Sequence, residues 1–187
     1  MYLVTGVLAA IMQARQSGLG QVVDAAMLDG VTHLMSAFQA FRQQGAWADE
    51  RGKNIVDGGA PYYGCYQTQD AKYIAIGAME PQFYTALLKV LGLQEDALPE
   101  QHNQDTWPVL RAKFAQVFLT RTRDDWMALA AGRDACMSPV LSIDEAPEHP
   151  QMKARHVYSP FDGLRHPSPA PRFSRTPSNL RRSTPTA

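Results

Sequence analysis

The stretch Tyr73-Ile-Ala-Ile-Gly-Ala-Met-Glu-Pro-Gln-Phe-Tyr84 decides how the middle of this 187-residue chain folds. Its opening residues are aromatic, β-branched or small, which predicts a strand. Pro81 favours the first position of a helix and keeps the residue before it out of helical backbone geometry. We therefore expect a strand that ends near Gly77, a helix over Pro81–Leu91, and Glu80 at the N-cap between them.

Further strand and helix signals lie on both sides of this stretch. Tyr62–Tyr66 has strand character and is connected to Tyr73–Ile76 through the turn residues Gln69-Asp-Ala71, which predicts a β-hairpin. Asp70-Ala71 stands where a tight turn favours Asp-Gly, at a small cost in turn geometry. Thr122 and Asp125 form a capping box that starts a helix. Helices are predicted at about 106–119 and 123–131, a buried strand at 135–141, and a broken helical stretch at 144–155.

The first forty residues carry a different pattern. Residues 1–12 are apolar or small on every side, which predicts a helix buried on both faces. A short strand is expected at 20–26 and an amphipathic helix at 27–43. Together they make a piece of an α/β layer whose remaining strands come from elsewhere. Because no capping residue precedes the first helix, we expect the chain to be part of a longer protein.

Composition limits the partners and the compartment. The 18 basic and 18 acidic side chains give a formal net charge of +0, which argues against nucleic acid as a partner. The apolar start is shorter than the roughly 20 residues of a membrane span and has no charged segment before it, so a cytoplasmic location is predicted. Cys65 and Cys136 are expected to be buried free thiols, with a disulfide left open. The five histidines lack metal-ligand spacing, so no metal site is predicted.

Glu80 is the candidate catalytic residue. It precedes a helix, at a position where Ser, Thr, Asp and Asn are the preferred caps. Either it caps the helix or its carboxylate takes part in proton transfer. The loop Asp57-Gly-Gly-Ala-Pro-Tyr-Tyr63 also has two interpretations, an ordinary interdomain turn or a backbone cradle for a phosphate or thioester. The residues alone leave both choices open.

Several segments carry a resemblance to a known family. They are Gly20-Gln-Val-Val-Asp-Ala-Ala-Met-Leu-Asp-Gly30, Asn54-x-x-Asp-Gly-Gly-Ala-Pro-Tyr-Tyr63, Gly77-Ala-Met-Glu-Pro-Gln-Phe-Tyr84 and Pro169-Ala-Pro-Arg-Phe-Ser-Arg175. In this order they resemble the family III CoA-transferases (CaiB/BaiF-like), and most closely the α-methylacyl-CoA racemases. The block around Glu80 distinguishes racemases from formyl- and carnitine-CoA transferases. The resemblance spans nearly the whole chain and corresponds to the C-terminal half of the family's sequence.

The resemblance implies an α/β fold of the interlocked-dimer type. In that fold a large, partly Rossmann-like domain is made from both ends of the chain, and a small α+β domain is inserted between them. Residues 1–61 would then be the C-terminal part of the large domain and a linker, and residues 62–158 the small domain. Residues 159–187 would return to the large domain, with an unstructured tail over the last dozen residues. The implied protein partner is a second copy or a complementing N-terminal half.

The implied activity is an isomerase reaction, 1,1-proton transfer at the α-carbon of a 2-methylacyl-CoA thioester. It needs no metal or organic cofactor, since CoA is part of the substrate. By resemblance Glu80 supports the acid/base network, Tyr63 lines the acyl pocket, and Met79 and Ile55 join it as substrate-binding residues. The family's catalytic histidine and aspartate, with most CoA-binding residues, lie upstream of the point that matches Met1. The chain is therefore expected to be inactive alone.

Two other functions remain open for the sequence. The full enzyme could be a CoA-transferase that moves CoA between carboxylic acids through the upstream aspartate. Alternatively, the chain could be a non-catalytic fragment that dimerises or binds acyl-CoA. Exchange of the substrate α-proton with solvent distinguishes a racemase from a transferase.

Overall fold

The computed structural model describes residues 1–94 and 97–181 and shows a mixed α/β chain, as the sequence predicts. The α-helices among these residues are α1 (Tyr2–Ser17), α2 (Met27–Leu34), α3 (Ser36–Gln43), α4 (Pro81–Leu91), α5 (Trp107–Phe118), α6 (Arg123–Ala130) and α7 (Pro150–Ala154). The strands are β1 (Tyr63–Gln67), β2 (Tyr73–Gly77), β3 (Met137–Val140), β4 (Tyr158–Phe161) and β5 (Leu164–Pro167). Short 3-10 helices cover Gln104–Thr106 and Ala146–Glu148.

The predicted hairpin forms, and it gains a third strand. β1 and β2 pair antiparallel with Tyr63 opposite Gly77, and β3 pairs antiparallel with the other edge of β2. The strand predicted at 135–141 is thus present, but the residues of β3 alternate between half-buried and exposed rather than being buried. The hairpin turn places Ala71 at φ 57, the left-handed region that favours glycine. The conformational cost expected for the Asp70-Ala71 turn therefore falls on Ala71.

The core lies between this sheet and helices α4, α5 and α6. Ile74 from β2 is fully buried, and the Tyr66 ring from β1 stacks on Phe118 of α5 with 5.0 Å between ring centroids. The Trp126 indole of α6 donates to the Phe118 carbonyl at 2.9 Å. Burying a side chain of this size stabilises the fold by about 1.5–3 kcal/mol. Other buried members of the core are Tyr62, Tyr84, Leu87, Trp107, Leu110 and Phe114.

The helices around this core begin and end where local signals predict. α4 starts with Pro81 in its first turn and ends at Gly92, which adopts φ 72 and donates to the last carbonyls. α6 starts at Thr122, whose hydroxyl accepts from the Asp125 backbone N–H at 3.2 Å. Both predicted helix starts are confirmed. They could be predicted because proline stereochemistry and side-chain capping act within one helical turn.

The strand predicted at 20–26 is wrong. No strand forms there in the described chain, and the segment runs without regular structure between α1 and α2. A strand needs a neighbour to satisfy its backbone groups, and the residues described provide none beside it. The helix predicted at 27–43 is present but interrupted at Met35, which separates α2 from α3. The first helix forms, but the burial predicted for both of its faces is not found in this chain, because no residue of α1, α2 or α3 is buried.

The C-terminal region contains a hairpin that was not predicted. β4 and β5 pair antiparallel, and Asp162-Gly163 makes the turn with φ 53 and φ 77. Asp-Gly is a strong signal for such a turn, so this hairpin was detectable from the sequence. Of the predicted tail, 176–181 has no helix or strand, and 182–187 lies outside the described residues. The proposed domain limits at 61 and 158 remain predictions.

Both cysteines are free, but they are less buried than expected. Cys65 is exposed because it alternates along β1 with buried Tyr66, and Cys136 is half-buried. Within residues 1–94 and 97–181, no helix combines the length and apolar character that crossing a bilayer would require.

Candidate functional site

Glu80 occupies the N-cap of α4 but does not act as a capping side chain. Its backbone is extended, with φ −76 and ψ 147, and its carbonyl accepts the Tyr84 N–H at 2.9 Å in the first helical turn. The carboxylate makes no hydrogen bond to the free N–H groups of the helix, and the residue is exposed. Of the two interpretations of Glu80, the geometry disfavours capping and leaves the carboxylate available for chemistry.

The short segment between β2 and α4 fixes where Glu80 stands. Gly77 N–H donates to the Cys136 carbonyl, Ala78 N–H to the Tyr62 carbonyl, and Met79 N–H to the Gly77 carbonyl, each at 3.0 Å. The segment is thus bonded to the residues directly ahead of β1 and β3, Tyr62 and Cys136. Because this backbone is already restrained, the ordering cost when the Glu80 carboxylate engages a partner falls mainly on its side-chain rotamers.

Tyr63, Met79 and Glu80 lie toward the same end of the hairpin. Tyr63 begins β1 directly opposite Gly77, and a Cβ added at Gly77 would lie 3.6 Å from the Tyr63 ring. The Tyr63 side chain is 37% exposed, and Met79 is half-buried against the core. An aromatic ring, a thioether and a carboxylate therefore occur together where the chain leaves β2.

Ile55 belongs to a separate, tightly bonded loop that precedes β1. It is half-buried against the core, next to Asn54, which is only 4% exposed. The Asn54 amide accepts from the Ala48 N–H at 2.8 Å and donates to the Ala48 carbonyl at 2.9 Å and to Asp57 Oδ2 at 2.7 Å. Ile55 is held by this loop rather than by the hairpin that carries Tyr63.

Asp57 organises the loop through its carboxylate. It accepts hydrogen bonds from the backbone N–H groups of Gly52, Asn54 and Gly59, each at 3.0 Å. Burial by itself would raise the pKa of Asp57, but the Asn54 side chain and these N–H groups together hold it below its ordinary value of 3.8. These three N–H groups already donate to the Asp57 carboxylate, so they are not free to bind a phosphate or thioester. The geometry therefore disfavours the phosphate-cradle interpretation of this loop.

Arg111 of α5 binds the other side of the same loop. Its Nη2 donates to the carbonyls of Gly58, Gly59 and Ala60 at 2.6, 3.1 and 3.0 Å, and its guanidinium lies 5.8 Å from the Tyr66 ring centroid. A cavity of about 400 Å³ lies here between the loop and α5, with Lys53 and Trp107 in its wall. The arrangement makes the loop a rigid support for the start of β1.

Cys136 is a titratable neighbour of Glu80 that sequence spacing did not reveal. Burial raises the pKa of the Cys136 thiol, and the negative charges of Asp134 and Glu80 raise it further. The thiol is therefore kept protonated. The two residues are far apart in sequence, and the charge of Glu80 acts on Cys136 only because β3 pairs with β2, so no local signal could have found this relationship.

Comparison with known proteins gives a consistent family match. The model of CoA-transferase family III matches residues 1–187. Over 174 residues the chain is 42% identical to α-methylacyl-CoA racemase from Mus musculus and 40% identical to that from Homo sapiens, covering 92% of this chain and 46% of each relative. The crystal structure of a CaiB/BaiF family protein from Brucella suis is similar, with a TM-score of 0.69 at 21% identity, covering 93% of this chain and 47% of that one. The chain spans about half the length of the relatives it matches.

Proposed function

The chain belongs to CoA-transferase family III, and from this premise we propose that it is the C-terminal portion of an α-methylacyl-CoA racemase-like isomerase. The reaction inverts the α-carbon of a 2-methylacyl-CoA thioester by 1,1-proton transfer. The observation that carries the proposal is the 42% identity to a racemase over 174 residues. The strand-to-helix block Gly77–Tyr84, which the racemase resemblance singled out, adds support.

Inversion of the α-carbon needs more acid/base groups than the single carboxylate of Glu80. A proton must leave one face of the α-carbon and another must arrive on the opposite face, so acid/base groups are needed on both sides. Each positioned group of this kind contributes about 10²–10⁴-fold in rate. We assign Glu80 to one side, in support of a histidine and an aspartate contributed by the rest of the enzyme. Removal of the α-proton leaves an enolate, whose negative charge would be stabilised by backbone N–H donors in the complete active site.

The described residues fit the remaining parts of this role. Glu80 is exposed and its carboxylate makes no capping hydrogen bond, so it is free to contact a group on another part of the enzyme. Tyr63 and Met79 offer an aromatic and an apolar surface for a branched acyl chain, and we assign Ile55, half-buried in the separate loop before β1, to substrate binding as well. The thioester substrate brings its own CoA, so the proposed reaction uses no metal and no organic cofactor.

The proposal extends to assembly and location. The exposed apolar side chains of α1 and α2 suit burial against a second copy or against an N-terminal half. We propose that the whole enzyme works as a homodimer in the cytoplasm.

The decisive experiment replaces the matching half of the mouse racemase with this chain. The chimera, incubated with a 2-methylacyl-CoA in deuterium oxide, is expected to exchange the substrate α-proton and invert the centre, whereas the isolated chain does neither. Glu80→Gln should lower the exchange rate by about 10²-fold or more. Glu100→Gln, which changes another exposed glutamate, serves as the control and should leave the rate unchanged.

Each outcome has a defined meaning. Exchange catalysed by the isolated chain would contradict the need for residues outside it. A folded chimera without exchange would contradict the racemase proposal. Full activity of the Glu80→Gln chimera would favour the alternative in which this chain is non-catalytic and serves in dimerisation or acyl-CoA binding.

A second function has support in the family description itself, which names CoA-transferases. A transferase would move CoA between two carboxylic acids through an aspartate outside this chain. Incubating the chimera with an acyl-CoA and a labelled free acid tests this directly. Labelled acyl-CoA without α-proton exchange would favour the transferase over the racemase.

A further inference from the structure

Gln101 reaches the segment that carries Glu80 from the loop before α5. Its side-chain Nε2 donates to the Ala78 carbonyl at 3.2 Å and to the Met79 carbonyl at 2.8 Å. A primary amide has two N–H donors, which is enough to serve both carbonyls. The two carbonyls belong to the residues directly ahead of Glu80.

Gln101 is itself anchored to the core. The Trp107 indole, which is 4% exposed, donates to the Gln101 carbonyl at 2.9 Å, and its ring packs edge-on against Tyr62. Asn103 caps the 3-10 turn that follows, with its side chain accepting from the Asp105 N–H. The position of the Gln101 amide is thus set by buried aromatic packing and by a capped turn.

The hydrogen bonds from Gln101 occur where the sheet no longer supports the chain. The ladder between β1 and β2 ends with the Tyr63–Gly77 pair, so the carbonyls of Ala78 and Met79 need partners from outside the strands. Fixing both carbonyls fixes the two peptide planes that lead into Glu80. The direction in which the Glu80 side chain leaves the backbone follows from those planes.

We propose that Gln101 is a positioning residue for Glu80, acting through the Ala78 and Met79 carbonyls. The inference rests on the proposed function of Glu80. Without the amide the segment has its N–H bonds alone, and the carboxylate samples more orientations. A catalytic group displaced by about 1 Å loses on the order of 10²-fold in rate, so a modest loosening has a measurable effect.

The first arm of the test uses the chain itself. Gln101→Met keeps the length of the side chain but removes both donors, and Gln116→Met on the exposed face of α5 is the matched control. Amide hydrogen exchange at Ala78 and Met79 should accelerate about tenfold in Gln101→Met alone, and the Glu80 carboxyl carbon resonance should shift. Unchanged exchange and an unchanged Glu80 resonance would overturn the proposal.

The second arm is a double-mutant cycle in the chimera. Gln101→Met should lower kcat for α-proton exchange about tenfold with little change in KM, and should have no further effect when Glu80→Gln is already present. Equal losses in both backgrounds would show that Gln101 acts on stability rather than through Glu80. If Glu80→Gln alone has no effect, the proposed function fails, whereas the hydrogen-exchange arm still decides whether Gln101 orients Glu80.

Discussion

Arg123 and Glu145 meet fork to fork, with Nη1 2.9 Å from Oε2 and Nη2 2.8 Å from Oε1. The Arg123 side chain is only 6% exposed, and its Nη1 also donates to the Val140 carbonyl at 2.8 Å. Lys72 adds a third cationic contact to Glu145 at 2.9 Å. Arg123 belongs to α6, Val140 to β3 and Lys72 to the turn before β2, while Glu145 directly precedes the 3-10 helix Ala146–Glu148, so these contacts join four parts of the fold.

The first prediction concerns the pH dependence of stability. The Arg123 hydrogen bonds, then the Ser142 N–H and Lys72, hold the pKa of Glu145 far below its ordinary value of 4.5. A carboxyl whose pKa is lowered by folding contributes stability above its unfolded pKa and loses it as the pH falls toward the folded value. Glu145→Gln should therefore lower the Tm at neutral pH, and its deficit should shrink below about pH 4.5.

Thermal unfolding between about pH 3 and pH 7 checks this prediction. Glu100→Gln, at an exposed position, should follow the unmodified chain throughout. Asp57, Asp70 and Glu148 also have lowered pKa values, so both proteins lose stability in acid and only their difference reports on Glu145. A deficit that stays constant across the range would contradict the ion-pair explanation.

The second prediction concerns the hairpin turn at Ala71. An L-residue in the left-handed region costs about 1–2 kcal/mol, which glycine avoids. Part of that gain is offset by the greater freedom of glycine in the unfolded chain, about 0.4–1 kcal/mol. Ala71→Gly should therefore raise the free energy of unfolding by roughly 0.5–1 kcal/mol in urea titrations. Ala128→Gly, on the exposed side of α6, should change it by about the same amount in the opposite direction.

The third prediction concerns the crowding at Gly59. A Cβ there would lie 2.6 Å from the Asn54 carbonyl oxygen and 2.7 Å from that of Gly52, and neither backbone atom can move away without opening the loop. Gly59→Ala should destabilise the chain by about 1–3 kcal/mol. Gly20→Ala, at an open position, should stay within about 0.5 kcal/mol of the original. Equal stability of the two variants in denaturant would refute the close-approach argument.

The fourth prediction concerns the apolar surface of α1. Leu3, Val4, Leu8 and Met12 are 56–65% exposed in this chain. Contiguous apolar patches of this kind favour association, so light scattering should show the isolated chain self-associating as its concentration rises. Leu8→Lys should reduce that association, while Leu119→Lys, at a position 50% exposed on another surface, should not. A stable monomer at every concentration would show that α1 needs no covering partner.

The sequence by itself determined the elements whose signals act over a few residues. Pro81 set the start of α4, Thr122 with Asp125 set the start of α6, and the alternation on either side of Asp70-Ala71 set the first hairpin. The second hairpin had an equally local signal in Asp162-Gly163 that was missed. The junction that holds Glu80 was therefore predictable, because one proline stereochemically separates strand from helix.

Only the tertiary structure decided which distant groups meet. Strand pairing and packing decided the absence of a strand at 20–26, the electrostatic influence of Glu80 on Cys136 and the Gln101 bonds to Ala78 and Met79. A hydrogen bond between remote residues leaves no periodic trace in the sequence, because its partners become neighbours only after the core has formed. Local stereochemistry thus placed Glu80 at the start of a helix, and long-range packing determined what surrounds it.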